Sequence, residues 1–321
     1  MNDKKKTIIS QKDVLILQKL LEDGRQSSSS ISKEINLGRE IVNYRIKRLI
    51  KENLIVKFIP KINKLAISHQ EYIIFLKLNL DDELSREKFI KEQIGNKYLI
   101  WTLKSKEGWD LIIRLYTETF EEFKIKLSEI LEGFSDVLAD YYTIISSDEI
   151  KECEKEIITK ELFKNINFKK DFSIIKNEEI INIDNKDKEI LKLLEEDGRG
   201  QYKDISEKLN ISSDTVKYRI EKMKHSGLIE SIEPVINFNK LGFITYAVIL
   251  KFKFLSKDEE IKINKYLKEL ECIARAIKSI NSQEYFLNLV FHKGNNIEEF
   301  KEKLKDKFKE KIDHIDIFKI D

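Results

Sequence analysis

The sequence predicts an α+β chain built as two tandem copies of one two-part unit. Each unit is three short helices closed by a small β element, followed by a βαββαβ domain. Three observations predict this. The chain repeats itself at an offset of 174 residues. The first part of each copy carries apolar residues at helical spacing. The second part alternates apolar runs of strand length with amphipathic helical stretches.

The repeat is anchored by the only two prolines, Pro60 and Pro234. At that offset Asp13 falls on Asp187, and Glu22-Asp23-Gly24-Arg25 falls on Glu196-Asp197-Gly198-Arg199. Ile31-Ser32 meets Ile205-Ser206, and Tyr44-Arg45-Ile46 meets Tyr218-Arg219-Ile220. About 20 of 51 ungapped positions from Asp13 to Asn63 are identical, too many for unrelated segments. Further on, Asp110 falls on Glu284, and Glu121-Glu122-Phe123 on Glu298-Glu299-Phe300 after a three-residue shift. The boundaries this sets are a tail (1–10), a helical part (11–65), a βαββαβ domain (66–146) and a connector (147–183). A second helical part (184–241) and a second βαββαβ domain (242–321) follow.

Within the helical part, Val14, Leu17 and Leu21 mark a first helix, as do Ile190, Leu191 and Leu194 in copy two. Gly24 and Gly198 follow, where a helix C-terminus favours a left-handed residue. A second helix carries Ile31 and Ile35, or Ile205 and Leu209, with Ser28, Ser29 or Ser30 as its cap. A tight turn, Asn36-Leu37-Gly38 or Asn210-Ile211-Ser212, leads to a third helix. That helix turns Val42, Ile46 and Leu49 inward, or Val216, Ile220 and Met223. Leu54 to Pro60 reads as a short hairpin or wing that the proline ends. This is the pattern of a winged helix-turn-helix, whose third helix enters the DNA major groove.

In the βαββαβ part, Gln70–Leu80 is a strand with Tyr72, Ile74, Leu76 and Leu78 on one side. A helix with Phe89, Ile90 and Ile94 follows, then strands Tyr98–Lys104 and Trp109–Tyr116. A second helix carries Phe120, Phe123, Leu127 and Ile130, and a last strand spans Val137–Ile145. Copy two gives Ile244–Phe254, Asp258–Leu270, Ile273–Ser279, Glu284–Phe291, Asn296–Lys309 and Ile312–Ile320. The order is that of a ferredoxin-like split βαβ unit.

Charge refines the reading. Lys+Arg 59 and Asp+Glu 57 nearly cancel, so any nucleic-acid surface must be a local concentration of charge. Residues 1–65 hold 15 Lys+Arg against 7 Asp+Glu, whereas residues 184–240 hold 11 against 12. The first copy is therefore expected to supply most of the DNA affinity. On its third helix Arg39, Asn43 and Lys47 are expected to read bases. Arg45, Arg48 and Lys51 are expected to hold phosphates or pack at the helix edge. The corresponding candidates in copy two are Ser213, Lys217, Arg219 and Lys222.

Other classes are disfavoured. No apolar run reaches the length of a membrane span, and the basic start lacks the apolar stretch of a secretory signal. Cys153 and Cys272 are isolated, which fits a reducing compartment, so a cytoplasmic protein is expected. There is no phosphate-cradling glycine loop, Cys-x-x-Cys pair or His-x-x-x-His spacing, and the four histidines are separated singles. No enzyme, metal or cofactor is expected.

The order of domains, with Asp13…Asp23-Gly24-Arg25, Val42…Arg45-Ile46…Leu49 and Leu54-Ile55, resembles the Lrp/AsnC (feast/famine) transcriptional regulators. The arrangement looks like that of the tandem, two-copy members of archaeal type, and the βαββαβ part resembles their RAM domain. The resemblance implies sequence-specific binding of double-stranded DNA and self-association through the βαββαβ sheets, in cis or in trans. It also implies control by an amino acid or similar small ligand. Gly108-Trp109-Asp110 resembles the family's Gly…Asp segment, with Asn281 and Glu284 at the matching positions of copy two. Here Gly108 stands two residues before Asp110 rather than three, and the plainer reading of Asp110 is a loop or strand-edge residue. Trp101 and Trp109 read as core or interface aromatics. Siroheme decarboxylases resemble the same fold, but a polycarboxylate macrocycle calls for many Arg and His. The βαββαβ segments offer only Arg86, Arg114 and Arg275 with His69, His292 and His314.

Overall fold

A computed structural model of the chain describes residues 9–63, 70–80, 102–105, 108–152, 157, 181–280, 283–292 and 297–320. Copy one contains α1 (Gln11–Glu22), α2 (Ser28–Glu34), α3 (Arg39–Lys51), β1 (Ile55–Ile62) and β2 (Gln70–Leu78). It continues with β3 (Thr102–Lys104), β4 (Leu111–Thr117), α4 (Phe120–Gly133) and β5 (Leu138–Glu152). Copy two contains α5 (Asn185–Glu196), α6 (Tyr202–Leu209), α7 (Ser213–His225), β6 (Ile229–Ile236) and a 3-10 turn (Phe238–Leu241). It ends with β7 (Ile244–Phe252), α8 (Lys257–Glu269), β8 (Ile273–Ser279), β9 (Glu284–Phe291), α9 (Ile297–Phe308) and β10 (Ile312–Ile320). The expected helix around Phe89, Ile90 and Ile94, residues Arg86 and Trp101, Asn281 and most of the connector lie outside the described residues.

The copies do not fold one after the other. One compact unit combines Met1–Ser68 with Ile158–Leu241, and the other combines His69–Ile157 with Gly242–Asp321. Like pairs with like: the helical parts form one unit and the βαββαβ parts the other.

In the helical unit α1 starts at Ser10. The Ser10 hydroxyl accepts from the Asp13 amide, and the Asp13 carboxylate accepts from the Ser10 amide. Asp184 and Asp187 repeat this box at α5. The cap of α2 is Ser27, one residue before the expected serines, and it accepts from Ser30 at 3.1 Å. Asn36 (φ 57°) and Asn210 (φ 52°) take the left-handed conformation in the turns before α3 and α7. A single buried cluster holds Leu17, Leu20, Val42 and Ile46 together with Ile190, Leu194, Val216 and Ile220. The two helical parts thus share one core, which their apolar faces alone would leave partly in water.

The wing is not a hairpin within one copy. β1 and β6 are single strands that pair antiparallel with each other, with Phe58 opposite Pro234 and Pro60 opposite Ile232. The prolines lie inside the strands rather than at their ends. In a two-stranded ribbon every strand is an edge, and alternate amides face away from the partner, so proline breaks no ladder bond there. Gly24 and Gly198 also differ from expectation. Neither has positive φ, and the residue that ends each helix, Asp23 or Asp197, is extended. The glycines allow backbone contact between copies. Gly24 donates to Ile232 O at 2.7 Å and Gly198 to Phe58 O at 2.8 Å. A Cβ on Gly24 would sit 2.7 Å from Ile232 O, and one on Gly198 would sit 2.9 Å from Phe58 O.

In the βαββαβ unit eight strands run in the order β10-β7-β9-β8-β5-β2-β4-β3, and a Ser105–Ile320 bridge links the two ends. The sheet therefore curls into a barrel, whose two end strands meet among the described residues at that one bridge. β5 runs on to Glu152, past Ile145, and its extension pairs with β8, Ser146 opposite Ser279 and Glu149 opposite Ile277. Part of the expected connector is thus the strand that joins the copies. Tyr72, Ile74 and Leu76 face Phe123 and Ile130 of α4. Tyr285, Leu287 and Leu289 face Ile263 and Leu267 of α8 and Phe300 and Leu304 of α9. The opposite face fills the barrel with Ile73, Phe75, Ile112 and Ile144 from copy one and Ile249, Ile277 and Phe286 from copy two. Among the described residues no helix is long and apolar enough to cross a membrane.

Candidate nucleic-acid interface

α3 buries Val42, Ile46 and Leu49 and turns Arg39, Glu40, Tyr44, Lys47 and Lys51 to solvent, with Asn43 half-buried. Arg39, Asn43, Lys47 and Lys51 make no side-chain hydrogen bond or ion pair among the described residues, so their donors stand open. Arg45 and Arg48 are held differently. Arg45 Nη1 lies 2.9 Å from Asp13 Oδ1 and 2.8 Å from Ser10 Oγ, and Arg48 Nη2 lies 2.8 Å from Asp13 Oδ2. Asp13 is fully buried, and burial alone would push its carboxyl up. The hydrogen bonds from Ser10 and Arg45 and the charge of Arg48 outweigh burial and hold it below the usual Asp range. The pair of arginines thus fastens the recognition helix to the start of α1, which is the helix-edge half of their expected role.

α7 repeats the fastening. Arg219 Nη1 lies 2.7 Å from Asp184 Oδ2 and 2.8 Å from Asp187 Oδ1. Ser213 is half-buried, its hydroxyl 3.1 Å from that of Ser206, so it is turned toward α6. Lys217, Tyr218 and Lys222 are exposed. Asp214 and Glu221 lie among them, so this face carries less positive charge than that of α3.

The repeated Asp-Gly-Arg motif ties the two heads together. Arg25 donates to Gly198 O at 2.7 Å and Gly200 O at 2.8 Å, and its guanidinium lies 4.6 Å from the Tyr202 ring centre. Arg199 donates to Gln26 O at 3.1 Å and lies 5.0 Å from the Phe58 ring centre. The recurrence of this motif is legible in the sequence, but the role of its arginines is not. Their identity in both copies was the available signal, because a pseudo-twofold contact uses each side twice.

The expected ligand segment has structural partners. Gly108 has φ +74°, and a Cβ there would meet the Phe318 ring at 2.4 Å. Asp110 is buried and its Oδ2 accepts from the Leu78 amide at 2.7 Å. Glu284 is buried and accepts from the Tyr142 hydroxyl at 2.5 Å. Burial and this carboxylate push the Tyr142 phenol up. Trp109 packs partly buried against the barrel core.

The same barrel buries a charged cluster that crosses the copies. Arg275, only 2% exposed, grips Glu71 at 3.0 and 3.2 Å and Glu149 at 2.6 Å. Arg114 Nε donates to Glu71 at 2.6 Å, and the Tyr116 hydroxyl donates to the same carboxylate at 2.7 Å. Burial would lower the Arg114 pKa, but Glu71 and its neighbours raise it, so it stays charged.

Comparisons with known proteins agree with this geometry. The family described as winged helix-turn-helix DNA-binding matches residues 9–56 and again residues 183–230. The regulatory protein AsnC of Haemophilus influenzae is 31% identical over 111 residues, 35% of this chain and 73% of that protein. A helix-turn-helix-type transcriptional regulator of Pyrococcus furiosus is 27% identical over 129 residues, 39% of this chain and 85% of that one. Over nearly the whole length, the fold is similar to that of the siroheme decarboxylase NirDL. The TM-score is 0.56 at 11% identity, covering 95% of this chain and 90% of that one. That likeness extends over both copies but is one of fold alone. The winged helix-turn-helix pattern found twice, together with the likeness to AsnC, places the chain in the Lrp/AsnC family of transcriptional regulators.

Proposed function

We propose that the chain regulates transcription by binding double-stranded DNA through two heads carried on one polypeptide, the first supplying most of the affinity. One observation carries this: α3 offers Arg39, Asn43, Lys47 and Lys51 with open donors on a helix that Asp13 fastens through Arg45 and Arg48. A helix so held presents its outer face in one orientation, as base reading requires. Arg39, Asn43 and Lys47 read base edges in this account, and Lys51 neutralises phosphate. α7 adds Lys217 and Lys222. Gly108 lies against Phe318 of β10, Asp110 accepts from the end of β2, and Glu284 accepts from Tyr142 of β5 in the same sheet, so an amino-acid effector is not assigned to them. The siroheme decarboxylase reading finds little support, because Arg114 and Arg275 are already held by Glu71 and Glu149.

Titration of the full chain against a duplex chosen from a random library tests the proposal. Affinity is expected to fall steeply with salt. Arg39→Ala and Lys47→Ala each weaken cognate binding by about 1–3 kcal/mol and leave random DNA nearly unchanged. A flat salt dependence, or equal losses on both duplexes, contradicts base reading by α3.

A further inference from the structure

Tyr44 is 68% exposed and Tyr218 is 69% exposed. Each sits mid-way along the recognition helix of its copy, one residue before the arginine that fastens that helix. Neither hydroxyl has a hydrogen-bond partner among the described residues. A large ring held out in water at one site would be unremarkable. Here the same ring stands at the same position twice, while its neighbours on the outer face differ. Tyr44 is flanked by Arg39, Glu40, Asn43 and Lys47, and Tyr218 by Ser213, Asp214, Lys217 and Glu221. Three of these four neighbours change chemical type between the copies, only the acid at Glu40 and Asp214 being kept, whereas the exposed tyrosine is the same in both.

We infer that Tyr44 and Tyr218 are a matched pair of base contacts, each set against a thymine methyl in its half of a two-part, non-palindromic DNA site. The inference rests on the DNA-binding reading above. The major groove offers an apolar group one base-specific apolar partner, the thymine C5-methyl. The polar neighbours differ between the heads, so the bases flanking the thymine must differ between the half-sites. The β1–β6 pairing and the Arg25 and Arg199 contacts join these unequal heads within one unit. The site they read is therefore directional, unlike the palindrome that two identical heads would select.

Selection of the full chain against a random duplex library, followed by thymine-to-uracil replacement in the recovered site, tests this. The expected motif has two unlike halves with a thymine at the same place in each. Loss of the methyl in one half weakens wild-type binding roughly tenfold. Tyr44→Ala abolishes that sensitivity in one half and Tyr218→Ala in the other, with thermal melting unchanged because both side chains are exposed. A palindromic motif overturns the inference, as does methyl sensitivity that survives both substitutions. In those outcomes DNA binding itself still stands; absence of binding to any duplex overturns both readings.

Discussion

At the scale of residues, Asp13 does more than its place in a capping box suggests. It ends one hydrogen-bond chain at α1 and anchors two arginines of the recognition helix. Asp13→Ala leaves Arg45 and Arg48 without their anion and is expected to destabilise the helical unit by about 2 kcal/mol. The sign with pH follows from its lowered pKa. The contribution is complete above the ordinary value of 3.8 and is lost as pH falls through the lower folded-state value. Denaturation of wild type and variant should therefore converge in acid and differ at neutral pH; a constant difference would contradict the pairing. The identities of these residues were legible in the sequence, since Asp13 and Arg45 both recur in copy two. Their contact was not, because 32 residues separate them and only the fold closes that distance.

At the scale of elements, period and spacing located most helices and strands. Ile273–Ser279, Glu284–Phe291 and Ile312–Ile320 appear with the bounds that the pattern predicts. What local pattern misses is partnership. β1 and β6 read as wings, yet each finds its partner in the other copy, and β5 continues where its alternation fades because β8 lies beside it. Strands buried on both faces, such as β9, show no solvent face from which to infer the barrel. Three substitutions test the packing within the units. Gly24→Ala places a methyl against Ile232 O and is expected to cost about 1–3 kcal/mol in chemical denaturation. Gly38→Ala, whose new Cβ has nothing nearer than 3.7 Å, should cost much less. Equal effects would mean that the Gly24 approach is not tight. Glu71→Ala leaves Arg114 and Arg275 buried around a lost carboxylate and is expected to destabilise the barrel unit by about 3–5 kcal/mol. A neutral result would show that the cluster is solvated.

At the scale of the whole molecule, duplication has changed what a near-neutral chain can do. The net charge of +2 combines a basic first head, a second head of near-zero charge and an acidic remainder. Each copy alone would expose the apolar surfaces that the shared helical core and the barrel bury. Together they make both pairings in cis, so one polypeptide holds two heads and raises the local concentration of the second once the first is bound. The buried Glu71–Arg275 contact belongs to this pairing of unlike copies. Copy two has Thr245 where copy one has Glu71, and copy one has Trp101 where copy two has Arg275. The most direct measurement is the stoichiometry of the full chain on a duplex carrying both half-sites, by native mass spectrometry with footprinting. One 38.1 kDa chain is expected to protect both halves. Protection of both halves only when two chains are bound, or no protection at any salt, would contradict it.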